Sequence, residues 1–309
     1  MGGRRGGSIA PALRALGAAR RTVRRYHAAP RLRPHPMSNW TDDIPSDVPD
    51  QPELVSLRRE GDLAWLTIER PDVMNCLSFP TLRRLRSLCA SLAQDLSIRA
   101  ILLTGAGDKS FCAGADLKER KTMPKERVPL FVKNIRRTMD DVEALPQPTI
   151  AVINGFAFGG GTELLLACDL RIAASHAQLG LTETTLAIIP GAGGTQRLPR
   201  LVGRSRAKDL ILTGRKLDAA ESERIGLVNR VVPLERLHEA ARELALQIAA
   251  NGPVAVRAAK AAIDQGCEAP LPQGLEIEAR CYERVLPTQD RLEALAAFAE
   301  KRKPNYTGS

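Results

Sequence analysis

Three short apolar runs, Ala100-Ile-Leu-Leu-Thr104, Thr149-Ile-Ala-Val-Ile153 and Leu170-Arg-Ile-Ala173, are separated by longer stretches of helical periodicity. A run of four or five residues with little polar alternation is the pattern of a strand covered on both faces. Covered strands that alternate with helices form an α/β fold. Leu63-Ala-Trp-Leu-Thr-Ile68 adds another strand, bounded by Gly61-Asp62 and Pro71. No tight hairpin signal joins two strands. Helices are expected over residues 81–95, where Leu82, Leu85, Leu88, Cys89 and Leu92 share a face, over 128–145, and in a short segment over 160–167. After Val232 the strand pattern stops. Helices are expected over 234–250, over 253–265 with Pro253 at the start and Gly266 just past the end, over 274–285, and over 290–301 behind a Thr288 cap.

The 309 residues carry a formal net charge of +10, which taken alone suggests a polyanionic partner. The distribution argues otherwise. Residues 1–36 hold nine Arg and no Lys, Asp or Glu, and the remainder has 36 basic against 35 acidic residues. The basicity therefore belongs to a leader. That leader is Arg-rich and acid-free, with Leu13, Leu16 and Val23 among the charges, the pattern of a mitochondrial transit peptide. Residues 37–52, rich in Pro and Asp, read as a linker. No stretch approaches the roughly 18 apolar residues of a membrane helix. Six cysteines without a Cys-x-x-Cys pair read as reduced, mostly buried thiols. Outside the leader only His176 and His238 remain, without metal-ligand spacing, so no metal site is expected.

Two Gly-rich stretches differ in promise. Gly105-Ala-Gly-Asp-Lys-Ser110 follows a strand but lacks the third glycine of a dinucleotide loop and the Gly-Lys-Ser/Thr order of a phosphate loop, so it reads as a turn. Gly159-Gly160-Gly161 directly precedes a helix. Backbone N–H groups there face outward without side-chain cover, and the helix dipole favours negative charge. Such a place can stabilise an oxyanion. Glu163 follows in the first helical turn, and Glu183 lies in Gly180-Leu-Thr-Glu-Thr184. Two carboxyl groups at one small volume can divide proton removal and proton delivery between them. Asp116 and Asp169 read as structural hydrogen-bonding residues, and Cys112, without a basic partner nearby, as packing. Arg83, Arg84 and Arg86 read as a solvated helix face, too short a basic comb for RNA.

The segments Ser110-Phe-Cys-Ala-Gly-Ala-Asp-Leu-Lys-Glu119, Ile153-Asn-Gly-Phe-Ala-Phe-Gly-Gly-Gly-Thr-Glu-Leu-Leu-Leu-Ala-Cys-Asp-Leu-Arg-Ile172 and Ile188-Ile-Pro-Gly-Ala-Gly-Gly-Thr-Gln-Arg-Leu-Pro199 occur in order. Together they closely resemble the enoyl-CoA hydratase/isomerase (crotonase) family, from about residue 54 to 306. Within it, Cys281-Tyr…Pro287-Thr-Gln-Asp-Arg-Leu-Glu…Phe298-Ala-Glu-Lys-Arg-Lys is most similar to the mitochondrial branch of methylglutaconyl-CoA hydratases and AU-RNA-binding proteins. The resemblance implies an α/β spiral of ββα units (ClpP-like) over 53–250 and a C-terminal helical assembly segment over 251–309.

It also implies roles. The N–H groups of Ala113 and Gly160 would form the oxyanion hole. Glu163 would activate water for attack at C3, and Glu183 would hold that water and supply a proton to C2. Ala113, Gly114, Ala115, Asp116 and Leu117 would line the CoA tunnel, with Phe298 and Lys301 contributed from a neighbouring subunit of a homotrimer or homohexamer. No cofactor is implied, because CoA is part of the substrate. The expectation is a mitochondrial-matrix hydratase acting on 3-methylglutaconyl-CoA in leucine catabolism, with Lys118, Arg120 or Lys121 near the distal carboxylate. Alternatives are a short-chain enoyl-CoA hydratase, an enoyl-CoA isomerase, and an RNA-binding protein with residual activity. RNA is not the favoured partner.

Overall fold

The computed structural model describes residues 44–309. The expected transit peptide and the first part of the linker lie outside the described residues.

The described chain opens with β1 (Val55–Glu60) and β2 (Leu63–Ile68), paired antiparallel, followed by α1 (Phe79–Gln94). Gly61, at φ 58°, and Asp62 form the two-residue turn between the strands. This corrects the expectation of no tight hairpin. β1 is an edge strand with Leu57, Arg58 and Arg59 exposed, so it carries no apolar run, and Gly61-Asp62 reads only as a boundary. Yet glycine in the left-handed region suits such a turn.

Three similar turns of chain follow. The first has β3 (Ala100–Gly105), β4 (Ser110–Cys112), α2 (Leu117–Thr122) and α3 (Val128–Glu143). The second has β5 (Thr149–Ile153), β6 (Phe156–Phe158) and α4 (Gly160–Leu166). The third has β7 (Leu170–Ala174), β8 (Gln178–Gly180), α5 (Gly194–Val202) and α6 (Arg204–Thr213). Then come β9 (Leu217–Asp218), α7 (Ala219–Arg224), β10 (Arg230–Val232) and α8 (Leu234–Ala249). Each turn puts one strand into each of two sheets. The larger sheet has the order β1-β2-β3-β5-β7-β10, and the smaller β4-β6-β8-β9. The expected spiral of ββα units is therefore the observed one. Helices α9 (Pro253–Gly266), α10 (Leu271–Glu283) and α11 (Gln289–Ala299) complete the chain. Gly266 is the last residue of α9 rather than the one beyond it.

Both faces of the larger sheet are covered, as its apolar strands require. Leu63, Trp65, Leu102, Ile150, Val152 and Ile172 face the small side chains of Ala241, Ala245 and Ala249 on α8. The alternate residues, such as Leu66, Ile68, Ile101, Leu103 and Ile153, join the main core with α1, α3 and α4.

The three arginines of α1 do not form a solvated face. Arg86 is 0% exposed. Its Nε donates to Asp141 Oδ2 at 2.6 Å and its Nη1 to Asn134 Oδ1 at 3.0 Å, both on α3. Arg83 donates to Val48 O, and Arg84 Nε to Val55 O at 3.4 Å. Residue 86 lies one position past Leu85 and three before Cys89, so it joins the buried stripe of α1. A charge on that stripe is tolerated because α3 supplies partners.

Candidate active site

Both glutamates come from segments that leave strands of the smaller sheet. β6 ends at Phe158, and the chain turns at Gly159, with φ 52° and ψ −122°, into α4. Glycine adopts that backbone at little cost. β8 ends at Gly180, and Glu183 begins a single turn of 3-10 helix, Glu183–Leu186. β6 and β8 are paired, with Phe158 opposite Gly180, so the residues beyond their ends share one rim. The Gly159 N–H donates to Gly180 O at 2.9 Å. A side-chain carbon at Gly159 would lie 3.3 Å from Glu183 Oε1. Pairing of two strands thus turns twenty residues of separation into one site.

The carboxyl groups have different surroundings. Glu163 is 3% exposed, and its Oε1 accepts the N–H of Ala192 at 2.7 Å and of Gly194 at 2.8 Å. Burial raises its pKa, while those two amides and the Arg197 charge pull it back. Glu183 has no comparable amide cradle. Burial, with repulsion from Glu163 second, pushes its carboxyl up to about 7. Its Oε2 is buried without a hydrogen-bond partner. Donors to the charged form favour ionisation, and burial without them disfavours it. The charged form is therefore better supported at Glu163 and the protonated form at Glu183.

The expected oxyanion donors need one correction. The Ala113 N–H donates to Met74 O at 3.0 Å and is not free for a ligand. Two residues on, Leu77 bonds both flanks of Ala115: its N–H donates to Gly114 O at 2.8 Å, and its carbonyl accepts the Asp116 N–H at 2.9 Å. In such parallel pairing the N–H of the middle residue points away from the partner strand. The Ala115 N–H is therefore left outside that pairing, and it lies beside Gly160, where a side-chain carbon would come 3.7 Å from Ala115 N. Gly160 is the first residue of α4, so its N–H has no partner within the helix. Ala115 and Gly160, rather than Ala113 and Gly160, present the adjacent amides. The shift is invisible in Phe-Cys-Ala-Gly-Ala-Asp because both alanines flank the same glycine, and only the strand partner decides which amide is consumed.

The remaining expected residues stand in different places. Asp116 caps α2, accepting the N–H groups of Lys118 and Glu119 at 3.0 and 3.2 Å, and pairs with Arg70 at 2.9 Å. Its carboxylate is thus used by the protein, as is that of Asp169, which accepts from Thr149 and pairs with Lys260. Gly114 is buried against Phe158 O and Gly160 N, and Leu117 is 55% exposed at the start of α2. Lys118 and Lys121 are exposed and Arg120 is half-buried, all three on α2. Phe298, 86% exposed, lies in the last turn of α11 and Lys301 two residues beyond it, where nothing within the described chain brings them to the glutamates. Cys112 is buried, and burial pushes its thiol up to about 12, as expected for packing.

Sequence reading missed the loop that holds Glu163. Ala192 and Gly194 lie in the Gly191-Ala-Gly-Gly194 run before α5, a run of amides ahead of a helix that signals carboxylate binding as much as the Gly159–Gly161 run does. Arg70 and Leu77, which fix the 113–116 loop, were also missed, because their partners lie some forty residues away.

Residues 58–309 match the model of the enoyl-CoA hydratase/isomerase family. The crystal structure of enoyl-CoA hydratase from Bacillus anthracis is 54% identical and superimposes with a TM-score of 0.82, covering 83% of this chain and 100% of that one. The human enoyl-CoA hydratase domain-containing protein 2, mitochondrial, is 47% identical over 247 residues, 79% of this chain and 85% of its own. The human mitochondrial methylglutaconyl-CoA hydratase is 45% identical over 280 residues, 89% of this chain and 82% of its own. A ββα spiral, paired carboxyl groups at one rim and a matching family model over most of its length agree: the chain belongs to the enoyl-CoA hydratase/isomerase (crotonase) family and is an enzyme of the hydratase type.

Proposed function

We propose that the protein adds water across the 2,3 double bond of an enoyl-CoA thioester, using Glu163 and Glu183 on one water molecule. The observation that carries this is the pair of carboxyl groups at one rim, one held by two amides and one with a buried, unpartnered oxygen. The N–H groups of Ala115 and Gly160 donate to the thioester oxygen as negative charge collects there. Losing such a donor typically costs about 3–4 kcal/mol of barrier. Glu163 takes a proton from water as its oxygen attacks C3. Glu183 holds the same water and delivers a proton to C2. No separate cofactor is required, since CoA arrives with the substrate. Two working carboxyl groups favour hydration over double-bond migration, which needs only proton transfer between carbons.

The proposed acyl group is 3-methylglutaconyl, in leucine catabolism, supported by the identity to the human methylglutaconyl-CoA hydratase. Lys118, Arg120 and Lys121 are the basic groups nearest in sequence for its distal carboxylate. The higher identity to the Bacillus anthracis enoyl-CoA hydratase supports a general enoyl-CoA hydratase instead. A hydration assay comparing crotonyl-CoA with 3-methylglutaconyl-CoA decides between them. A tenfold or greater preference in kcat/KM for crotonyl-CoA would overturn the dicarboxylic reading, and no hydration of either would overturn both. The mitochondrial names of the two human relatives and the basic leader support import into the matrix. N-terminal sequencing of the organellar protein tests it, and an intact Met1 would contradict cleavage. We infer a trimer or hexamer, with Phe298 and Lys301 reaching a neighbour's CoA.

A further inference from the structure

Arg197 of α5 sits behind the loop that holds Glu163. Its Nη1 donates to Ala192 O at 3.0 Å, on the residue whose N–H donates to Glu163 Oε1. Its other nitrogens form a fork on α3: Nε and Nη2 reach the two oxygens of Glu143 at 3.1 and 2.6 Å, and Nη2 also reaches Asp140 Oδ1 at 3.0 Å. The arginine side chain is 15% exposed, against 40% and 46% for Asp140 and Glu143. Gly193, with φ 110°, lies between: a side-chain carbon there would come within 2.0 Å of Arg197 Nη1. Loop, glycine and guanidinium thus fit one arrangement.

We propose that Arg197 is a positioning residue for the base: anchored by Glu143 and Asp140, it fixes the 192–194 loop so that its amides meet Glu163, and it places a positive charge behind that loop. The proposal rests on the hydratase reading for its effect on turnover, but not for its effect on Glu163. The charged groups around this carboxylate are Glu183 from the rim of β8 and Arg197 from α5, with Asp140 and Glu143 from α3 behind the arginine. Burial raises the Glu163 pKa, and the two amides and Arg197 oppose that rise. Losing the cation, or letting the amides drift, therefore moves Glu163 ionisation to higher pH.

The test uses Arg197→Met and Arg197→Lys in the full chain. Two readouts are taken: the pH dependence of kcat and KM with crotonyl-CoA, and the titration of the Glu163 carboxyl carbon by 13C NMR, assigned through Glu163→Gln. Arg197→Met is expected to lower kcat about 10- to 100-fold with KM changed less than about threefold, because small misplacement of a catalytic group is costly. Its acid limb and its Glu163 titration move to higher pH. Arg197→Lys keeps the charge but cannot span Glu143, Asp140 and Ala192 at once. It is expected to restore most of the titration and only part of kcat. An Arg197→Met protein that melts earlier yet keeps the wild-type kcat and the wild-type Glu163 titration would reduce Arg197 to a structural role and overturn the proposal. Should that variant fail to fold, Glu143→Gln loosens the same fork, and an unchanged titration and kcat there would overturn it equally. If wild type hydrates nothing, the hydratase reading fails, while the NMR titration still decides the role of Arg197.

Discussion

Glu163 and Glu183 differ less in burial than in what faces them. Two backbone amides hold one, while the other keeps an oxygen buried without a hydrogen-bond partner. Replacing either by Gln is expected to cut kcat about 10²- to 10⁴-fold in a folded protein, the usual worth of a positioned acid or base. Full activity in either variant, measured by loss of the enoyl absorbance, would contradict the mechanism. The raised pKa of Glu183 also has a thermodynamic consequence. Its carboxyl moves from the ordinary 4.5 up to about 7 on folding, so the native state holds a proton that the unfolded chain releases. Stability therefore falls as pH rises from about 4.5 to about 7 and levels off above. Glu183→Gln removes that penalty. Denaturant unfolding should find the variant gaining on wild type across this window, by about 3 kcal/mol at pH 8. In wild type, kcat/KM should decline above about pH 7 as the proton-bearing form is lost.

The 113–116 loop and the start of α4 bring two amides, those of Ala115 and Gly160, side by side only because other segments consume the competing hydrogen-bond groups. Met74 takes the Ala113 N–H, and Leu77 takes Gly114 and Asp116, leaving the Ala115 N–H outside both pairings. The space at Gly160 is also graded. A single methyl group there would make ordinary contacts of 3.6–3.7 Å with Gly114, Ala115 and Leu77. Gly160→Ala should therefore fold and keep measurable turnover. Gly160→Val should fold with crotonyl-CoA hydration lower by about 100-fold or more, because its branches enter the gap before the Ala115 amide. Equal activity in the two variants would place the thioester oxygen elsewhere.

Burial of Arg86 joins the first helix to the third across the core of the whole described chain. Removing only one partner leaves the other charge desolvated, so Arg86→Met should destabilise by about 3–5 kcal/mol in urea unfolding. Arg86→Met combined with Asp141→Leu should recover much of that loss. A single variant as stable as wild type would show that the pair is dispensable. On the outside, Leu271, Leu275, Tyr282, Leu295 and Phe298 of α10 and α11 are each at least 55% exposed. Large apolar side chains left in water favour association. Light scattering should report a mass of three or six chains, and Leu275→Asp with Phe298→Asp should lower it. A monomeric wild type would contradict the assembly.

What the sequence determined by itself was local or carried by uninterrupted motifs. The covered strands over 100–104, 149–153 and 170–173 and the helices between them were legible from periodicity, since each is a property of neighbours in the chain. Glu163 stood out because it follows glycine-rich backbone in a long motif, and Glu183 because the family resemblance marks it. The tertiary structure alone decided which peptide groups are already bonded and which charges are buried. Ala113 and Ala115 look alike until Met74 claims one of them. Arg86 reads as a surface residue until Asp141 and Asn134 arrive from α3. The β1 edge is too polar to declare itself until β2 pairs with it. In each case the deciding partner lies elsewhere in the chain, and hydrogen-bond satisfaction, which one segment cannot encode, settles the outcome.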